Sequence, residues 1–204
     1  MSDRQAYHHG NLRRALLDAS LALFAARGSF DFTLRELAKS AGVTHNAPYR
    51  HFAGKAELLA ALRDEGSAML DAACRARLEG AEGPRARVRA LGEAYVRFAI
   101  AHPHHFRLAL HNPLGGDAAP QGEAFPLLRT TLADAQKAGA VRDDLSAREL
   151  ALGAWALVHG LASLLVEGNI AGDEARLRRY MRLLDAIFFD GAGAGASRGA
   201  RPSR

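Results

Sequence analysis

Five polar residues within the eight-residue stretch Thr44–His51, namely Thr44, His45, Asn46, Arg50 and His51, carry donors and acceptors suited to base edges. An asparagine amide pairs bidentately with adenine, and an arginine fork with guanine. Tyr49 in the same stretch, Arg35 before it and Lys55 after it suit phosphate oxygens. Such contacts set register on a duplex without reading its sequence. Helical patterns open at Thr33, Thr44 and Gly54, where free backbone N–H groups can hold further phosphates. The expected contact set is therefore Thr33, Arg35, Thr44, His45, Asn46, Tyr49, Arg50, His51 and Lys55.

The preceding segment is built to position that set. Thr33-Leu-Arg-Glu36 is a capping box, and Phe32 with Leu37 forms a hydrophobic staple around it. The short helix ends at Ser40-Ala41-Gly42, where glycine permits a sharp turn, Ala38 leaves room for the next helix and Val43 anchors the turn. Thr44 offers a second N-cap, and Tyr49 and Phe52 are expected to face inward at i and i+3. Two short helices joined this way make a helix-turn-helix, whose second member enters the major groove. The alternative is a helical hairpin with a solvated basic face. Pro48 lacks an N–H, clashes with the carbonyl four residues back and disfavours helix at Ala47. The second helix is thus expected to start near Asn46, with residues 44–46 extended.

Around this head nearly every segment has helical periodicity, which predicts an all-α protein of about nine helices. The first spans Asn11 to Arg27, with Leu12, Leu16, Ala19 and Leu23 on one face. A long fourth follows Gly54 and runs to about Arg77, and Pro84 opens a fifth. A short sixth carries Phe106. A loop over residues 112–121 leads to a seventh, an eighth from Ser146 to Glu167 and a ninth from Asp173 to Asp190. The expected division is 1–54 for the helix-turn-helix domain, 55–190 for a helical body, and 191–204 for a Gly/Ala-rich disordered tail.

The 204 residues carry 27 Lys+Arg against 22 Asp+Glu, a net charge of +5. Residues 1–55 hold eight of the bases and four of the acids, so most of the excess lies in the head. A basic end on a near-neutral body points to an anionic partner. The single cysteine, Cys74, excludes an internal disulfide and fits a reducing compartment. Residues 1–14 lack an apolar core of a signal peptide. The uncharged stretch Leu150–Val166 is short for a membrane span, so a buried helix in a cytoplasmic protein is expected.

The run TLRELAKSAGVTHNAPYRHFAGKAELL resembles the N-terminal domain of TetR-type regulators, in which a Gly-Val turn precedes a recognition helix ending in Tyr-x-x-Phe, with a lysine soon after. Pro48 departs from that pattern. The segment Trp155–Gly160, with His102-Pro103 upstream, further resembles a subgroup named for a Trp-His-Gly signature. The resemblance implies a homodimer on a palindromic operator in double-stranded DNA, usually a repressor released by a small molecule, with no enzymatic activity and no cofactor. A ligand-independent architectural DNA-binding protein is the alternative.

Three other groups carry candidate chemistry. Tyr95, Phe98, His102, Phe106, Phe125, Trp155 and His159 are candidates for a ligand cavity, although aromatic stripes at helical spacing are more often plain core. Gly153, Gly160, Leu164, Leu177, Tyr180, Met181, Leu184 and Phe188 on the last two helices are candidates for an interface with a second copy. His102, His104, His105, His111 and His159 raise a metal-dependent enzyme as a rival, but no i, i+4 ligand pair stands out among them.

Overall fold

The computed structural model describes residues 12–110 and 122–192. The elements are α1 (Leu12–Arg27), α2 (Leu34–Ser40), a 3-10 turn (Pro48–Arg50), α3 (Lys55–Glu79), α4 (Pro84–Ala101), α5 (Pro103–Leu110), α6 (Ala124–Lys137), α7 (Ala147–Val166) and α8 (Glu174–Ala192). The fold is all-α, with no strand among the described residues. His111, the expected loop at 112–121 and the expected tail beyond Ala192 lie outside those residues, and α8 runs two residues into the segment expected to be tail.

The chain divides into two compact units. The first comprises residues 1–66 and 104–118, and the second residues 67–103 and 119–204. In the first, α1 and α2 pack together and the 3-10 turn packs on α2. Leu16, Leu37, Phe52, Leu58, Leu62 and Leu108 form its fully enclosed core. The buried face of α1 is Leu16, Leu17, Ser20 and Phe24, turned from the expected one. Burying the larger Leu17 and Phe24 sets that face, and Ser20 between them is tolerated. Its hydroxyl donates to the Leu16 carbonyl at 2.7 Å, so a polar side chain sits in the core with its donor satisfied.

The devices at α2 form as the residues demand. Thr33 Oγ1 accepts from the Glu36 N–H, and the Glu36 carboxylate accepts from the Thr33 N–H at 2.8 Å. Phe32 and Leu37 are both buried beside that cap. Gly42, at φ 67°, ends the helix: its N–H bonds to the Lys39 carbonyl and that of Val43 to the Ala38 carbonyl. That is a Schellman ending, and it needs the left-handed conformation glycine adopts without strain.

The capping bonds, with an ion pair to Arg27, lower the Glu36 carboxyl from its ordinary 4.5 to about 2. Because the folded value is depressed, this contribution to stability is complete above pH 4.5 and is lost as the pH falls toward about 2. Acid titration of the first unit, followed by circular dichroism, should therefore lose part of its slope in that window in Glu36→Gln. An unchanged profile would show that the box is not felt in stability.

In the second unit α4, α6 and α7 pack on one another and α8 packs on α7. Pro84 opens α4 as its first residue, and a second capping box, Ser146 with Glu149, opens α7. At the start of α6 both Asp71 carboxylate oxygens accept from the Glu123 N–H at 3.0 Å. By length and composition α7 is the one helix among the described residues that could cross a bilayer. One of its faces is instead packed, through Leu150, Ala151, Ala154, Leu161 and Ala162.

Candidate nucleic-acid interface

The segment after Gly42 is a turn and not an α-helix, and Pro48 is the reason. With no N–H at position 48, the Thr44 carbonyl cannot receive the usual i+4 bond. It accepts from the Ala47 N–H at 2.9 Å, so residues 44–47 close into a turn where residues 44–46 were expected to be extended. Ala47 keeps helical angles (φ −60°, ψ −43°) despite the proline after it. The Arg50 N–H then bonds to Ala47 O, and those of His51 and Phe52 to Pro48 O. Ala47, with no side-chain cap, holds the N-cap position expected for Thr44.

This geometry sorts the side chains. Ala47, Pro48 and Phe52 are buried against α2 and the core, whereas Thr44, His45, Asn46, Tyr49, Arg50 and His51 all point to solvent. Tyr49, expected to face inward with Phe52, is 51% exposed. Pro48 takes the inward slot, and the tyrosine is left outside with its hydroxyl free of the core. Arg35 and Thr33 are also exposed, and Lys55 is half-exposed as the first residue of α3. The Thr33 hydroxyl is already engaged by Glu36. The Lys55 ammonium lies 5.4 Å from the centroid of the Phe32 ring, a cation–π contact that steadies a flexible chain.

Electrostatics separate these cations from others in the same unit. Arg14 pairs with Asp18 and Glu65, and Arg27 pairs with Glu36. Arg13, Arg35, Lys39, Arg50 and Lys55 make no ion pair among the described residues. Arg13 was missed in the sequence. Its guanidinium sits over the Phe52 ring at 5.3 Å, which brings a cation from α1 to the turn. The only signal for it was its place on the polar side of the α1 stripe. Exposed polar groups on a buried seat, ringed by unneutralised cations, can engage a polyanion with a patterned edge.

The candidate ligand-cavity residues are only partly gathered. Trp155 Nε1 donates to the Tyr95 hydroxyl at 3.2 Å, and that hydroxyl lies 2.8 Å from His159 Nδ1. The tyrosine oxygen thus accepts from the indole and directs its own proton at a neutral imidazole. Burial lowers the His159 pKa, which keeps the ring neutral, and raises that of Tyr95. Phe125 meets Trp155 edge-on at 5.9 Å. Phe98 and His102 contact each other at the end of α4. Phe106 is buried in the first unit, while the other six belong to the second.

Of the candidate interface residues, Leu177 and Met181 are buried within their own unit. Tyr180, Leu184 and Phe188 are half-buried, and Gly153, Gly160 and Leu164 are exposed. Ile187, on the same expected apolar face of the last helix, and Leu152 and Leu183, which the sequence did not single out, are large exposed apolar side chains on the same two helices. No group of three or more His, Cys, Asp or Glu side chains able to hold a metal occurs among the described residues. His105 is held by Glu65 at 3.1 Å.

Comparison with known proteins bears on both units. Residues 16–62 match the model described as bacterial regulatory proteins, tetR family. Residues 88–187 match the tetracyclin repressor-like C-terminal domain. The HTH-type transcriptional regulator SrpR of Pseudomonas putida is 42% identical over 62 residues, which are 30% of this chain and 29% of that protein. The chain thus spans less than half the length of the curated relatives it matches. A protein of unknown function from Rhodococcus sp. RHA1 is 36% identical in sequence, with a TM-score of 0.77 over 93% of this chain and 100% of that one. A TetR family transcription regulator from Marinobacter aquaeolei VT8 has the same fold at 18% identity, with a TM-score of 0.72 over 93% of this chain and 100% of that one.

Proposed function

The chain belongs to the tetR family of bacterial regulatory proteins, and from that premise we propose that it is a cytoplasmic transcriptional repressor that leaves its operator when a small molecule binds. The carrying observation is the turn at residues 44–52, with three residues buried as a seat and six polar ones presented to solvent. Asn46, Arg50 and the two histidines read bases, while Tyr49, Lys55, Arg35 and Arg13 hold phosphates. A single turn presents few contacts, so useful affinity calls for two heads on a palindrome. The exposed apolar side chains Leu152, Leu164, Leu183 and Ile187, with Gly153 and Gly160 allowing close approach, supply a self-complementary face for a homodimer. The Tyr95–His159–Trp155 cluster lies in the effector-sensing unit.

Selection of bound fragments from sheared genomic DNA identifies the operator, and titration of Asn46→Ala on it tests the assignment. Losing a bidentate base contact costs about 1–3 kcal/mol of discrimination. The variant should accept substitutions at one symmetric position while its affinity for random duplex stays put. Unchanged base selectivity would remove Asn46 from the reading set.

A further inference from the structure

On the side of α8 that meets α4, a groove of about 520 Å³ runs between the two helices. Arg89 and Arg97 of α4 face Arg178 and Arg182 of α8 across a floor of Leu177 and Met181. Three of the arginines are engaged. Arg89 pairs with Asp185, Arg97 with Glu93 and Glu174, and Arg178 with Glu174. Arg182 makes no ion pair among the described residues. Four guanidinium groups thus meet three carboxylates, and the surplus charge sits one helical turn from Arg178. Positions i and i+4 lie on one side of a helix, so their forks converge on a ligand the size of a carboxylate or phosphate.

Adjoining the groove is a half-open cavity of about 40 Å³, walled by apolar side chains such as Val158, Leu184 and Phe188. Arg89, Met181 and Asp185 line both spaces. Gly92 lets Val158 and Met181 pack close against the α4 backbone there: a Cβ on it would come within 3.1 Å of Val158 and 3.8 Å of Met181. Met181 is the most adaptable of the shared residues, because its unbranched thioether has several rotamers of similar energy. Its rotation would join the cavity to the groove. The charged rim is centred roughly 140° around α8 from Leu183 and Ile187, so it is separate from the proposed dimer face.

We propose that this groove binds a soluble amphiphilic anion, its carboxylate or phosphate held by Arg178 and Arg182 and its apolar part laid along the groove over Leu177 and Met181 toward the mouth of the cavity. This gives the effector a chemical class, and it rests on the repressor reading for its consequence but not for binding itself. Calorimetric titration of the full chain with octyl phosphate, below its micelle concentration, tests it. Octyl phosphate should bind at least tenfold more tightly than inorganic phosphate, and octyltrimethylammonium should not saturate. The Arg178→Glu/Arg182→Glu pair should lose tenfold or more, whereas Arg129→Glu, at an exposed position of α6, should bind as the parent does. Both arginines are exposed on a helix, so an unchanged thermal midpoint confirms that the pair is folded. Full binding by the double variant, equal binding of inorganic phosphate, or saturable binding of the cation would overturn the proposal. So would selective pelleting with phosphatidylglycerol vesicles in place of octyl phosphate binding, which would make the partner a membrane. Release from operator by octyl phosphate is read separately, so a failed effector role and a failed site give different results.

Discussion

Replacing Lys55 with alanine is expected to weaken binding to operator and random duplex alike by about two to four orders of magnitude. The lysine opens α3, is steadied over the Phe32 ring and has no acidic partner among the described residues. Its ammonium is therefore ready for a phosphate without first breaking an ion pair. A hydrogen bond to a charged group contributes about 1.5–3 kcal/mol, and in a homodimer the loss occurs twice. Each neutralised phosphate also releases condensed counterions, so the slope of log K against log salt should flatten by about 2 for the dimer. A change near 1 would mean that one head binds at a time. Unchanged affinity at every salt concentration would remove Lys55 from the interface. The contrast with Asn46→Ala is diagnostic, because one variant loses affinity everywhere and the other loses preference at one position.

Replacing Phe52 with alanine should act through the seat. The ring is 1% exposed in the core that gathers Leu16, Leu37, Leu58 and Leu62, and it also carries the Arg13 guanidinium. Truncating a buried phenylalanine costs about 3–5 kcal/mol, from lost transfer energy and the cavity left behind. That is a large share of the roughly 5–15 kcal/mol that holds a domain folded. Amide hydrogen exchange gives a local measurement: protection in α1 and at the start of α3 should fall by about two to four orders of magnitude. Operator binding should fall with it, because the six exposed polar residues lose their rigid support. Retained protection at Leu16 and Leu58 would show that the turn does not depend on this ring.

What was legible in the residues, and what was not, divides by range. The Thr33–Glu36 box, the Phe32–Leu37 staple, the Gly42 ending and the proline that opens α4 are all settled by groups within about five positions of one another. Local sterics and local hydrogen bonds decide such features, so type and spacing suffice. The same locality made Pro48 readable as a disturbance. Its outcome was not, because an extended run and an i+3 turn both avoid the missing N–H. The choice between them follows from burying Ala47 and Pro48 on α2. That packing also turned Tyr49 outward, against the inward position its spacing with Phe52 suggested.

By itself, then, the sequence determined an all-helical chain with a basic head, a capped short helix and a polar stretch behind a glycine turn. Tertiary structure alone decided which cations stay free. Arg14 and Glu65 meet across 51 positions, whereas the adjacent Arg13 stacks on Phe52 and keeps its charge. It likewise brought Tyr95 to His159 across 64 positions, and buried Leu177 and Met181 while leaving Leu183 and Ile187 bare on one amphipathic helix. Periodicity shows that a face is apolar but not what covers it, because burial depends on the whole set of neighbours that only folding brings together.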